Sequence, residues 1–219
     1  MSGATDDLGS LDDPVKPDIT DITAFWPVTA STELARGAMV ALREDMVRMP
    51  DGEVVGRDVL EHPGAVAVLA LDTEEQVLMI RQYRHPVGRL LWEIPAGLRD
   101  VAGEPLLATA ERELLEEAGY RAAQWWVLTD SYSSPGISTE RIRIFLARGL
   151  VLVPESERSY VPEHEEAHLE LAWVPLDRAA ARILAGDLHN GVTALGILAG
   201  YAASRNGFTT LRGTDAPER

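Results

Sequence analysis

The chain contains no cysteine. A disulfide scaffold, a thiolate zinc site and a cysteine nucleophile are thereby excluded, although the absence does not by itself fix a compartment. Positive charge is scarce as well: 20 Lys and Arg stand against 35 Asp and Glu, for a formal net charge of -15. Nucleic-acid binding rests mainly on cations that neutralise phosphates, so no broad electrostatic grip on DNA or RNA is expected. Small anions remain compatible with this balance where local arginines or bound cations meet them. No stretch approaches ~18 uninterrupted apolar residues, so no membrane span is expected. The first residues are acidic and small, without the basic-then-apolar order of a secretory signal, and a cytoplasmic location is the expectation. Internal repeats, coiled-coil heptads and long low-complexity tracts are also missing.

What is present is enough for one substantial domain. At 219 residues with 46% hydrophobic content, the chain can build a core without covalent staples. Residues 1–20 carry five aspartates among Gly, Ser and Pro and can bury little, so a flexible acidic tail is expected there. Residues 21–61 hold a small amino-terminal sheet: Pro50-Asp51-Gly52 offers turn residues between strand-like Met39–Met49 and Glu53–Leu60. Residues 62–205 form the main domain and 206–219 a second flexible tail.

Within the main domain, Ala65–Leu71 is a nearly continuous apolar run, and Val77–Tyr83 follows it after a polar turn. In Glu104–Ala118, Leu107, Ala110, Leu114 and Ala118 recur at three- and four-residue intervals, the stripe of a helix that Gly119 is placed to stop. Trp125–Leu128, Ile142–Ala147 and Leu169–Val174 have strand character. Asp177 could cap a helix ending near Gly186, and Val192–Ala203 suggests a final, mostly apolar helix. The order is mixed, not a strict βαβ alternation.

The chemistry concentrates on the helix after Glu104. Glu113, Glu116 and Glu117 lie at i, i+3 and i+4, so a helix gathers their carboxylates on one side. Unpaired, they repel one another; a hard cation with oxygen ligands offsets that repulsion. Taken as a triplet they could equally be a solvated acidic face. Arg112, Gly119 and Glu104 tell against that plainer reading, because together with the glutamates they resemble a family signature.

From Glu104 through Tyr120, the residues Glu104, Arg112-Glu113-Leu114-Leu115-Glu116-Glu117-Ala118-Gly119-Tyr120 match the Nudix box, G-x5-E-x7-R-E-U-x-E-E-x-G-U, in every spacing. Gly97 departs from it: six residues instead of five separate it from Glu104, which implies one extra residue in the preceding loop. Trp92-Glu93-Ile94-Pro95-Ala96-Gly97 and Ser134-Pro135-Gly136 are similar to the flanks of the box in the ADP-ribose pyrophosphatase subgroup. The resemblance implies an α/β (α+β) fold, a Nudix-type α/β/α sandwich with a mixed sheet, plus the small antiparallel amino-terminal sheet. It also implies Mg²⁺, with Mn²⁺ as an alternative, bound by Glu113, Glu117, Glu116 and the Ala96 carbonyl. A homodimer with exchanged amino-terminal sheets, a nucleoside diphosphate sugar as the small-molecule partner and no nucleic-acid partner complete the implied picture.

Similar enzymes place a mobile glutamate in the acidic stretch Glu163-His164-Glu165-Glu166-Ala167-His168, which makes Glu166, then Glu165, the candidate to position the attacking water, with Glu116 in support. The same residues satisfy His-Glu-x-x-His, a zinc-protease pattern that needs a helix; Pro162 before it and alternating Leu169–Val174 after it leave little room for one. Arg81 and Arg84 must occupy opposite faces of a strand, and by resemblance Arg84 contacts phosphate. Glu93, as a sugar contact or as an ion-pair partner, and Pro135 complete the candidate substrate-binding residues. Trp92, Trp125, Trp126 and Tyr132 are more simply core aromatics than adenine platforms. The implied activity is Mg²⁺-dependent hydrolysis of ADP-ribose to AMP and ribose 5-phosphate. The alternatives are another nucleoside diphosphate derivative as substrate, or a non-catalytic nucleotide-sugar sensor.

Overall fold

The computed structural model describes residues 19–158 and 169–218. Its first unit is a three-stranded antiparallel sheet of β1 (Val28–Arg36), β2 (Ala41–Arg48) and β3 (Val54–Glu61) in that spatial order. Pro50-Asp51-Gly52 makes the β2–β3 turn: Gly52 adopts a left-handed φ of 92° and its N–H donates to Met49 O at 2.9 Å. The sequence did not announce β1, whose Val-Thr-Ala-Ser-Thr-Glu-Leu-Ala-Arg lacks clean alternation, and all nine of its residues are exposed. Polar pairing holds the sheet: Asp45, 7% exposed, accepts from Ser31 Oγ at 2.6 Å and Arg43 Nε at 3.0 Å. The hydrogen bond from Arg43, and then that from Ser31, keeps the Asp45 carboxyl below its ordinary range.

The main unit is built on β4 (Ala65–Ala70), β5 (Gln76–Arg84), β6 (Arg89–Glu93), β7 (Ala96–Leu98), β8 (Tyr120–Tyr132), β9 (Arg141–Leu152) and β10 (Glu170–Pro175). One sheet has the order β7-β4-β9-β8, with β4 and β9 parallel and the other pairs antiparallel; the other has the order β10-β5-β6. Helix α1 (Leu106–Ala118) covers one face, while α2 (Leu176–Leu184) and α3 (Gly191–Ser204) cover the other. The apolar run in β4 is continuous because both of its faces are buried. Val66, Val68 and Ala70 pack in one cluster with Ala110, Leu114 and Ala118 of α1, whereas Ala67 and Leu69 pack with Ala179 and Ile197. This is the expected α/β/α sandwich around a mixed sheet. The backbone of α3 comes close enough to β4 that a methyl on Gly200 would collide with Leu69.

Several boundaries differ from the sequence reading. Helix α1 begins at Leu106, not Glu104, because Pro105 is its N-cap and the residue before a proline is driven out of helical geometry. Gly119 does stop it, at φ 74°, its N–H donating to Leu114 O and Leu115 O. Asp177 is not the cap of α2; Pro175 holds that place and Asp177 lies in the first turn. Both long strands extend well beyond the short apolar segments that marked them.

The last residues, expected to be a flexible tail over 206–219, are docked from Leu211 to Glu218. Arg212 exchanges backbone hydrogen bonds with Val127, and Arg143 Nη1 donates to Ala216 O at 2.8 Å. Beneath them Asp130 accepts from Arg143 at 2.7 and 3.1 Å and from Arg212 at 2.9 Å, with the Arg143 and Asp130 side chains 4% and 6% exposed. Burial pushes the Asp130 carboxyl up, but the two arginines outweigh it and hold the group below its ordinary value of 3.8. A carboxyl with a lowered folded-state pKa stabilises the fold fully above its unfolded value and ceases to do so as pH falls through the folded one. Urea unfolding at pH 7 and pH 3 should therefore show Asp130→Asn costing roughly 3 kcal/mol at the higher pH and distinctly less at the lower.

Candidate active site

One face of α1 carries Arg112, Glu113, Glu116 and Glu117, and Arg112 is the hub. Its Nη1 donates to Glu113 Oε1 at 2.7 Å and to Glu116 Oε2 at 3.0 Å, while Nη2 reaches Glu104 Oε2 at 3.3 Å and Asp100 stands 4.0 Å away. Burial works against the charge on Arg112, but Glu104, Glu113 and Glu116 more than compensate and raise its pKa. The arginine in turn, chiefly through its hydrogen bond, lowers the pKa of Glu104. Thr109 Oγ1 also donates to Glu104 at 2.9 Å, which ties the loop before the helix to its first turns.

The other ends of these carboxylates meet the main chain at Ala96-Gly97. Glu113 is 9% exposed, and its carboxylate lies so close over Gly97 that a methyl there would overlap it. Glu117 Oε2 accepts from the Ala96 N–H at 2.8 Å. Among the described residues, no three acidic or imidazole groups converge as a ready-made metal cage. Arg112 instead stands as counter-cation to Glu113 and Glu116. The carboxylates of Glu113 and Glu117 beside the Ala96-Gly97 main chain are nonetheless hard oxygen donors, which suit a hard divalent cation and not a thiophilic metal.

A cavity of about 620 Å³ opens beside this point, and Arg84, Glu93, Ala96, Gly97, His62 and Glu140 are among its lining residues. Arg84 grips Glu93 with two hydrogen bonds, Nε to Oε1 at 2.9 Å and Nη2 to Oε2 at 2.6 Å. Arg81, on the opposite face of β5, lies over Trp92 at 5.4 Å and pairs with Glu170, so the strand parity expected for the two arginines holds. His62 Nδ1 accepts from the Gly64 N–H at 3.0 Å, which leaves Nε2 facing Glu140 Oε1 at 3.7 Å. A more apolar groove of about 390 Å³ between β10 and α2 is lined by Trp173 and Met79 among others, and one of about 470 Å³ beside α1 by Arg112, Glu116 and Trp125.

Comparison with known proteins gives this constellation a context. Residues 61–194 match the family model described as NUDIX domain. The chain belongs to the Nudix family. It is 47% identical over 186 residues to an ADP-ribose pyrophosphatase of Mycobacterium tuberculosis, covering 85% of this chain and 87% of that one. It is 34% identical to an ADP-ribose pyrophosphatase of Bacillus subtilis over 77% of this chain and 88% of the relative, and 34% identical to a methanol dehydrogenase activator of Bacillus methanolicus over 79% and 91%. A crystal structure of an ADP compounds hydrolase superposes with a TM-score of 0.69 over 86% of this chain and 98% of that one; at 17% identity it establishes the likeness of fold.

Of the residues singled out from sequence, Glu113 and Glu117 meet the Ala96-Gly97 main chain, Glu116 shares Arg112 with Glu113 and lines a separate cavity with Arg121 and Trp125, and Arg84 and Glu93 share the cavity that Ala96 and Gly97 line. Glu93 is 2% exposed with both oxygens engaged by Arg84, the geometry of the ion-pair alternative, and it lines the cavity as well. Pro135 is exposed and stands outside the cavity lining. Glu165 and Glu166, with the rival His164 and His168, lie outside the described residues. Trp125 packs edge-on to Phe145 at 6.2 Å, as a core aromatic should. Sequence reasoning missed His62 and Glu140; the histidine ahead of Pro63-Gly64 at the mouth of an apolar strand was the available signal.

Two outcomes are expected. Gly97→Ala should displace Glu113 and lower kcat by roughly 100-fold or more, as misplacement of a catalytic constellation by about 1 Å does; Gly136→Ala, where an added methyl meets open space, should leave it unchanged. Arg84→Ala should cost roughly 2 kcal/mol in chemical denaturation because it strands the buried Glu93 carboxylate, and adding Glu93→Leu should recover most of that loss.

Proposed function

We propose that this Nudix hydrolase splits the diphosphate of ADP-ribose into AMP and ribose 5-phosphate in a Mg²⁺-dependent reaction, with Mn²⁺ as the alternative ion. The observation that carries the proposal is the meeting of Glu113 and Glu117 with the Ala96-Gly97 main chain at the edge of a cavity that also holds Arg84. The names of the M. tuberculosis and B. subtilis relatives support the choice of substrate.

In this proposal Glu113, Glu117 and the Ala96 carbonyl hold the divalent cation, with Glu116 as a further ligand once Arg112 yields part of its grip. Such a cation supplies Lewis-acid stabilisation of phosphoryl charge and lowers the pKa of bound water. Arg84 spreads the remaining negative charge of the diphosphate, kept in place by its fork on Glu93. Glu166, or Glu165, positions the water whose oxygen bonds to one phosphorus as the bond from that phosphorus to the bridging oxygen breaks. Two phosphomonoesters leave, and the proton of the water passes to solvent through the glutamate. Arg112 and Glu104 remain structural.

A homodimer belongs to the same proposal. Among the described residues, strand β1 leaves Val28 52% and Leu34 53% exposed, which favours a second copy packing there. Relatives with other printed activities, including a GDP-mannose pyrophosphatase of Citrobacter koseri at 32% identity over 66% of this chain, keep other nucleoside diphosphate derivatives as the second reading.

The deciding experiment is product analysis on ADP-ribose, NADH, diadenosine polyphosphates, sugar nucleotides and nucleoside triphosphates, with Mg²⁺ and with EDTA. AMP and ribose 5-phosphate from ADP-ribose, formed fastest of the set and abolished by EDTA, is the expected result; faster cleavage of another compound replaces the substrate but keeps the mechanism. Glu113→Gln should lower kcat by roughly 100-fold or more, and turnover within a factor of two of wild type would sink the metal-ligand assignment. Tight ADP-ribose binding without cleavage of any compound would make the chain a sensor.

A further inference from the structure

Two arginines outside the proposed machinery share one carboxylate. Arg99 Nη1 lies 3.2 Å and Arg141 Nε 3.6 Å from Glu218 Oε1. The sheet brings the arginines together. The Arg99 N–H donates to Gly64 O at 3.1 Å, and the pairing of Ala65 with Leu98 and with Ile142 sets Arg99, Gly64 and Arg141 level across three strands. They close over Gly64, where an added methyl would stand 2.9 Å from Arg141 O and 3.1 Å from Arg99 Cδ. Arg99 follows Gly97 by two positions, so it emerges on the face occupied by Glu113, about 7 Å further along the strand direction. Arg141 also lies 5.7 Å from the Tyr132 ring, which restricts where its guanidinium can point.

Glu218 reaches this pair because the strand of chain leading to it is fastened twice, by Arg212 on Val127 and Asp130 and by Arg143 on the Ala216 carbonyl. Among the described residues the carboxylate itself is held by these two partly exposed pairs, with side-chain exposures of 30% for Arg99, 24% for Arg141 and 23% for Glu218. Pairs of that kind are weak and readily exchanged. A phosphate monoester carries more charge than a carboxylate and offers three oxygens to two guanidinium forks.

We propose that Arg99 and Arg141 form an anion subsite for a phosphate monoester, one pleat from Glu113, and that Glu218 is a built-in competitor occupying it. The subsite would retain one phosphomonoester product or the matching end of a substrate, and the carboxyl-terminal strap would expel it. Only this choice of ligand rests on the proposed function; the subsite itself does not.

The test is calorimetric titration of full-length wild type, Glu218→Gln and Arg99→Gln/Glu218→Gln with inorganic phosphate, AMP and ribose 5-phosphate. EDTA and constant ionic strength ensure that neither metal bridging nor bulk screening contributes. Glu218→Gln should bind phosphate roughly three-fold tighter than wild type, the size expected for release of one partly exposed pair, and the added Arg99→Gln should cancel the gain. Equal affinity for all three ligands supports a subsite that recognises the phosphate alone, and a preference for one monoester supports a product subsite. Wild-type affinity in Glu218→Gln, or a gain that survives loss of Arg99, overturns the proposal, even if thermal unfolding shows the strap loosened. Because no turnover enters the readout, inactivity toward ADP-ribose would count against the function and leave this result intact.

Discussion

Three carboxylates within one and a half turns of helix repel each other, and the geometry of the site follows from what cancels that repulsion. In the structure the compensating charge is Arg112, which bonds Glu113, Glu116 and Glu104 at once. Glu104 lies in the loop before α1, so the same guanidinium that balances the helix also fixes the approach to it. The extra residue between Gly97 and Glu104 is tolerated for this reason. Slack falls in exposed Val101, Ala102 and Gly103, while Glu104 is recovered by Arg112 and Thr109.

A balanced cluster is useful only if it faces something, and the backbone at Ala96-Gly97 gives it a counterpart. Strand β7 has three residues and pairs with β4 from Ala65 to Ala67, which brings a main-chain N–H and a glycine up against α1. No side chain can occupy the place of the Gly97 hydrogen while Glu113 lies where it does. Thr193, near the start of α3, accepts the Ile94 N–H at 3.1 Å and steadies the same loop from the opposite side of the sheet. The loop that meets the glutamates is therefore held from both faces of the sandwich, which is the preorganisation that electrostatic catalysis requires.

These relations explain which features could be read beforehand. Spacing along one helix is local, so Glu113, Glu116 and Glu117 declared themselves, as did the Gly119 stop and the doubly buried strand at Ala65–Ala70. The fork between Arg84 and Glu93 joins two strands nine residues apart, and the sequence could offer it only as one of two alternatives for Glu93. His62 and Glu140 are separated by much more chain and meet because Leu60 hydrogen-bonds to the loop at Ile137 and Thr139. Nothing local encodes that meeting. The docked carboxyl terminus was missed for a similar reason: a short polar stretch looks flexible until Asp130 and Arg143, distant in sequence, supply its partners. Strand β1 escaped because its residues face outward, so burial never imposed a periodic pattern on it.

The charge balance itself connects these sites. Of the 20 basic residues, 19 are arginine and Lys16 is the single lysine. An acidic chain gains solubility from its net charge, but each buried or half-buried carboxylate then needs a cation that can satisfy both oxygens. A planar guanidinium does so with two parallel hydrogen bonds, whereas an ammonium is a point charge with a tighter hold on water. Arg84 on Glu93 and Arg143 on Asp130 are both forks of this kind, and Arg112 extends the device to three carboxylates. Lysine in any of these places would leave an oxygen unpaired in a poorly solvated setting. The same geometry that secures the fold also suits arginine to phosphate, so a chain that solves its own carboxylate problem with arginine already carries side chains able to grip a diphosphate wherever one of them reaches the cavity wall.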